Sequence, residues 1–140
     1  MPHLTLEYSA NLATLAPAFN PAAALAAINR AAFASGLFGE ADIKSRALAC
    51  EQFCIGVEVA PRAFAHLRIA LLSGRSGDER RQLAAQLLAA LKSTVNGENG
   101  QNSVPASAPA AIPIPGGEIQ LSVETCDLDR PSYAKDVLHG

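Results

Sequence analysis

The chain has 140 residues, 49% of them hydrophobic and 17% charged, which suits one compact domain and is too short for two ordinary ones of about 100 to 200 residues. That balance excludes a wholly disordered chain, and 9 prolines and 10 glycines without a three-residue period exclude collagen. With 11 basic against 13 acidic side chains the formal charge is −2, so no global positive field draws the protein to nucleic acid or an anionic membrane, and any affinity for anions has to be local.

From His3 to Tyr8 the residues alternate, Leu4, Leu6 and Tyr8 against His3, Thr5 and Glu7, as a half-buried strand requires. Asn20 before Pro21 reads as a helix cap with proline in the first turn; Leu25, Ile28 and Ala32 then recur at helical spacing until Gly36 closes the helix. Ile43 to Cys50 predicts a second strand with Lys44, Arg46 and Leu48 on one face. Residues 51 to 62 are ambiguous, with a short strand expected at Phe53 to Val59 before a turn at Pro61.

Phe64 to Leu72 predicts a strand that ends in the turn cluster Ser73-Gly74-Arg75-Ser76-Gly77. Ser76 with Glu79 forms a capping-box pattern, and Leu83, Leu87 and Leu91 line one stripe of a helix running to about Val95. The stretch 97–115, rich in Gly, Asn, Ser, Ala and Pro, predicts a flexible connection longer than most loops. Ile119 to Thr125 alternates again as a strand, and the polar tail from Asp127 is expected to wrap a surface or a neighbouring subunit. The whole is a single α+β domain over 1–140, a duplicated β-α-β unit with parallel strand pairs and both helices on one face of the sheet. A core built from alanine, leucine and valine, with aromatics at 5% and no tryptophan, often gains from oligomerisation.

Three cysteines, Cys50, Cys54 and Cys126, favour reduced thiols over a disulfide framework. The start lacks a positive region followed by a long apolar run, and no stretch approaches 18 uninterrupted apolar residues, so a cytoplasmic protein is expected. His3, His66 and His139 show no ligand spacing, so no metal site is expected; no other cofactor is expected either. The glycines of residues 74–77 lack the lysine and spacing of a phosphate loop, and Ser and His form no recognisable nucleophile arrangement in the sequence.

Pro2 is the most informative residue. Initiator methionine is normally removed before a small residue, which would leave a secondary amine able to accept a proton; burial or nearby cations would lower its pKa toward neutrality. Pro at position 2 is also common and by itself marks only efficient processing. Lys44 and Arg46 on one strand face, with Arg75 at a strand-to-helix turn, are three cations able to converge on a polyanion, or simply a solvated face and a loop arginine.

Three blocks in order carry a resemblance: the opening Met1-Pro2-His3-Leu4-Thr5-Leu6-Glu7-Tyr8-Ser9-Ala10-Asn11, the segment Ile43-Lys44-Ser45-Arg46, and Phe64-Ala65-His66-Leu67 leading to Gly74-Arg75-Ser76 with Arg80 to Lys92 behind. Over most of residues 2 to 95, and more loosely over 117 to 139, the chain resembles the 5-carboxymethyl-2-hydroxymuconate isomerase family of the tautomerase superfamily. The resemblance implies a homotrimer with Pro2 as catalytic acid/base and Arg75, Lys44 and Arg46 holding the carboxylates of a small anionic substrate in aromatic catabolism. Lys44 stands where the family has an arginine, keeping the charge without the planar fork; 97–115 is a second departure. A tautomerase with another enol substrate and a non-catalytic trimeric interaction protein are the competing expectations.

Overall fold

The computed structural model describes residues 1–98 and 112–140; of the connection expected over 97–115, residues 99–111 lie outside the described residues. The chain runs β1 (His3–Ser9), a one-turn helix α1 (Leu12–Leu15), α2 (Pro21–Ala34), β2 (Lys44–Cys50), β3 (Arg62–Leu72), α3 (Gly77–Val95) and β4 (Glu118–Leu128), with 3-10 turns at Glu40–Asp42 and Arg130–Ser132. The local signals act as anticipated. Asn20 accepts the Ala23 N–H at 3.0 Å with Pro21 following it in the first turn, and Ser76 and Glu79 close a complete capping box.

The strands lie in the order β2-β1-β3-β4. β1 and β2 are parallel, as are β3 and β4, while β1 and β3 join the two halves antiparallel. This bears out the duplicated β-α-β reading. Its consequence is positional: the first residues of β1 and β2 and the last residues of β3 and β4 meet at one end of the sheet, since His3 pairs with Lys44 on one side and Ala70 on the other, and Ala70 with Cys126.

Alternation divides the sheet into two unlike faces. Leu4, Leu6, Ala63, Ala65, Leu67, Ile69 and Leu71 are buried, together with Ala24, Ile28 and Ala32 of α2 and Leu83, Leu87 and Leu91 of α3. The opposite face carries Lys44, Arg46, Leu48, Thr5, Glu7, His66, Arg68 and Glu124, and among the described residues no helix covers it.

The strand expected at Phe53 to Val59 does not form: residues 51–61 are irregular. Val57 and Val59 are fully exposed, so their alternation with polar residues has no surface to be buried against, and Gly56 at φ +71° turns the chain away from extended geometry. Phe53 packs edge-on against Phe64 instead, with centroids 6.4 Å apart. The helix at Leu12–Leu15, too short to leave a periodic signal, buries both of its leucines.

Candidate active site at the amino-terminal end of the sheet

Pro2 is fully buried where β1 begins, and the Lys44 N–H donates to its carbonyl at 3.2 Å, carrying the β1–β2 ladder one residue past the strand. In the chain that carries Met1 the Pro2 nitrogen is an amide and holds no titratable proton. The Met1 α-amine beside it is held below its ordinary value of 8.0, chiefly by burial; Asp42 opposes that shift, and Lys135, Lys44 and Arg75 add to it in that order.

Two of the three expected cations, Lys44 and Arg75, therefore act on the terminal amine. Lys44 folds back on the turn before it, its Nζ donating to the carbonyls of Ala41 and Asp42 at 3.2 Å each and to the Met1 sulfur at 3.3 Å. Arg75 follows Gly74, whose φ of +111° is a conformation that side-chain-bearing residues rarely adopt. Its guanidinium donates to the Leu37 carbonyl at 2.7 Å, lies over the Phe38 ring 5.7 Å from the centroid, and faces Glu79 at 4.0 Å. Glu79 is itself held below the ordinary carboxylate value by the Ser76 backbone N–H, so the capping box fixes the helix start that directly follows Arg75.

Arg46 is not among the charges that act on the Met1 amine, although with Lys44 it lowers the pKa of neighbouring His3, whose shift comes first from burial. Arg46 faces Thr5 across the ladder, two residues or about 7 Å farther along β2, and lines an open hollow of about 440 Å³ with Glu7, Leu48, His66, Arg68 and Glu124. Here the fold makes a contact the sequence does not announce: His66 Nδ1 lies 2.7 Å from Ser122 Oγ and its Nε2 lies 3.2 Å from Glu124. Both His66 and Ser122 stand at mid-strand, and among the described residues no turn or helix N-terminus lies beside them to hold an oxyanion, as acyl transfer requires.

The sequence also missed what the tail brings. Arg130 donates to the Ser73 carbonyl at 2.6 Å, Tyr133 Oη lies 3.3 Å from His3 Nε2, and Lys135 Nζ reaches Asp42 at 2.7 Å. Asp42 is held below the ordinary carboxylate value first by its hydrogen bond and charge contact with Lys135. Only the tail's polarity hinted at a surface-wrapping course; contacts this far apart in sequence leave no local pattern. Among the described residues no group of three or more His, Cys, Asp or Glu side chains is placed to hold a metal ion, and no helix is long and apolar enough to cross a membrane.

The family model for 5-carboxymethyl-2-hydroxymuconate isomerase matches residues 2–108. Among solved structures, a 5-carboxymethyl-2-hydroxymuconate isomerase from Deinococcus radiodurans R1 is similar at 25% identity, with 96% of this chain and 88% of that one covered and a TM-score of 0.74. A 5-carboxymethyl-2-hydroxymuconate delta-isomerase shares the fold at 15% identity, covering 100% and 89%, with a TM-score of 0.65. So does a fused 4-OT wild-type symmetric trimer at 17% identity, covering 95% and 90%, with a TM-score of 0.61. No curated protein matches significantly.

Proposed function

The chain belongs to the 5-carboxymethyl-2-hydroxymuconate isomerase family of the tautomerase superfamily, and from that premise we propose that it moves a proton along an unsaturated 2-hydroxy polycarboxylate, with 5-carboxymethyl-2-hydroxymuconate the first candidate substrate. Pro2, freed of Met1, is the acid/base. Its neutral nitrogen takes the proton of the 2-hydroxyl group, the double bonds shift, and the prolinium returns that proton to the far carbon of the conjugated system. One O–H bond breaks and one C–H bond forms, with no change of oxidation state overall. Arg75 through its donors, and Lys44 through its charge, stabilise the negative charge that grows on oxygen and carboxylate as the dienolate forms, an electrostatic effect strongest where water is excluded.

What supports this reading is the shared location of Pro2, Lys44 and Arg75 at one end of the sheet, in a field that already depresses the pKa of the amine next to Pro2. The same burial and cations would act on a prolyl amine in that place, favouring its neutral, proton-accepting form near neutral pH. Arg46, two residues farther along the uncovered face, lies on the side of the sheet that an assembly would cover. We therefore read the protein as a trimer, the assembly named for the similar 4-OT structure, with its helix-free faces turned toward one another.

Intact mass of the purified protein, together with turnover of 5-carboxymethyl-2-hydroxymuconate, tests the mechanism. The expected mass is that of a chain beginning at Pro2. Inserting a lysine between Met1 and Pro2, which blocks methionine removal, lowers kcat by about 10²- to 10⁴-fold. Unchanged turnover in that variant would remove the proline from the mechanism. Lys44 in place of the family arginine favours a second reading, the same chemistry on a different enol, and a panel of 2-hydroxymuconates and phenylenolpyruvate-like enols separates the two.

A further inference from the structure

The cations around Pro2 differ in what their donors already hold. The three ammonium hydrogens of Lys44 have three acceptors nearby, the carbonyls of Ala41 and Asp42 and the Met1 sulfur. Removal of Met1 frees one of them. Lys135 makes a single side-chain contact among the described residues, to Asp42 at 2.7 Å, which leaves two of its three hydrogens for a ligand. Lys135 comes from the opposite end of the chain. From Leu128 at the end of β4 the backbone crosses β3 and β1 to reach the turn before β2, a span of three strand spacings or about 14 Å.

That crossing is anchored at each stage. The Ser73 N–H donates to the Leu128 carbonyl at 3.0 Å, Arg130 spans back to the Ser73 carbonyl and packs over Gly74, Tyr133 meets His3 edge-on with centroids 6.3 Å apart, and Asp42 fixes the end of Lys135. Asp42 has a second effect. A bare carboxylate this close to the amino terminus would repel an anionic substrate, and pairing with Lys135 neutralises it while pointing the ammonium group toward the same end of the sheet.

We propose that Lys135 is a carboxylate-binding residue of the Pro2 site, positioned by Asp42, and that together with Arg75 it supplies the donor contacts that Lys44 commits to its own turn. The inference rests on the placement of the substrate at Pro2. Its ligand class is a di- or tricarboxylate with one carboxylate reaching beyond the group held by Arg75.

Equilibrium titration of the full chain with tricarballylate at low ionic strength tests this without depending on turnover. In the Lys135→Gln variant the dissociation constant rises about 10- to 100-fold, the range for losing a charge-assisted hydrogen bond. Lys135→Arg stays within about threefold of the native chain, and Asp42→Asn, which keeps the cation but loosens its position, falls between the two. Equal affinity in Lys135→Gln and the native chain, or no measurable tricarballylate binding by the native chain, overturns the inference. Isomerase turnover by the native chain is measured alongside. Binding that depends on Lys135 without turnover overturns the proposed reaction and keeps the anion site; turnover with binding indifferent to Lys135 does the reverse.

Discussion

The Lys44 N–H donates to the Pro2 carbonyl at 3.2 Å, so the first cation of β2 is tied by its backbone to the residue whose nitrogen would do the chemistry. The tie does not involve the lysine side chain. Substitution of Lys44 therefore changes the charge near that nitrogen while leaving the ladder intact.

This predicts a pH effect of definite sign. The Met1 amine is depressed partly by Lys44, and removing a cation lets a nearby amine hold its proton to higher pH. In Lys44→Met the acidic limb of the kcat/KM profile, which reports the free enzyme's base, moves upward by up to about one pH unit. An unmoved limb, or one displaced downward, would show that the field of Lys44 does not reach the base.

Arg75 is expected to act through its shape as well as its charge. Anchored to the Leu37 carbonyl at 2.7 Å and laid over Phe38, its planar fork keeps further N–H groups for a carboxylate. Arg75→Lys should lower kcat/KM about 10- to 100-fold, chiefly through KM, with little change in melting temperature. A collapse in melting temperature that accounts for the lost activity would assign Arg75 to the fold instead.

The uncovered sheet face predicts association. Leu48 is 49% exposed there, beside charged residues of three other strands; exposure of one leucine is ordinary on a monomer's surface, but in an assembly that joins the helix-free faces Leu48 lies at the subunit boundary. Leu48→Asp should shift the protein from trimer to smaller species by light scattering and lower turnover with it. Full activity in a monomeric variant would mean one chain completes the site.

The alternation of Leu4 and Leu6 and the stripe Leu83, Leu87 and Leu91 made the two layers legible, because burial on one face imposes a period that sequence displays. Pro2 and Arg75 were legible for a different reason: a strand start and a capped turn are local features, and the family pattern falls on them. The place of Arg46 in the open hollow was not, since residues sharing a strand face lie two steps apart along it and can line different surroundings even where both act on one neighbour, as Arg46 and Lys44 do on His3. Nor were Lys135, Tyr133 and the contact of His66 with Ser122, each of which joins residues more than 50 positions apart. At Phe53 to Val59 alternation misled, as periodicity reports a tendency to be half buried and says nothing of whether a partner strand is present.

A last prediction concerns stability. His3 is held below its ordinary value of 6.5 by burial first, then by Arg46, Lys44 and the terminal amine; Tyr133 Oη is its hydrogen-bonding neighbour from the tail. A depressed folded-state pKa means that the unfolded chain takes up a proton the fold refuses, so the contribution of His3 is complete above about pH 6.5 and is lost as pH falls through the lower folded value. Asp42, depressed from 3.8 by Lys135, follows the same sign in a separate and more acid window, because its contribution is complete above the ordinary carboxylate value. Urea unfolding at fixed protein concentration, so that association does not change the midpoint, should show the native midpoint falling between roughly pH 7 and 5. In His3→Gln, which keeps a polar neighbour for Tyr133 and cannot titrate, that fall should flatten while the decline below about pH 4 remains. A variant as pH-sensitive as the native chain between pH 7 and 5 would show that the sensitivity comes from another group.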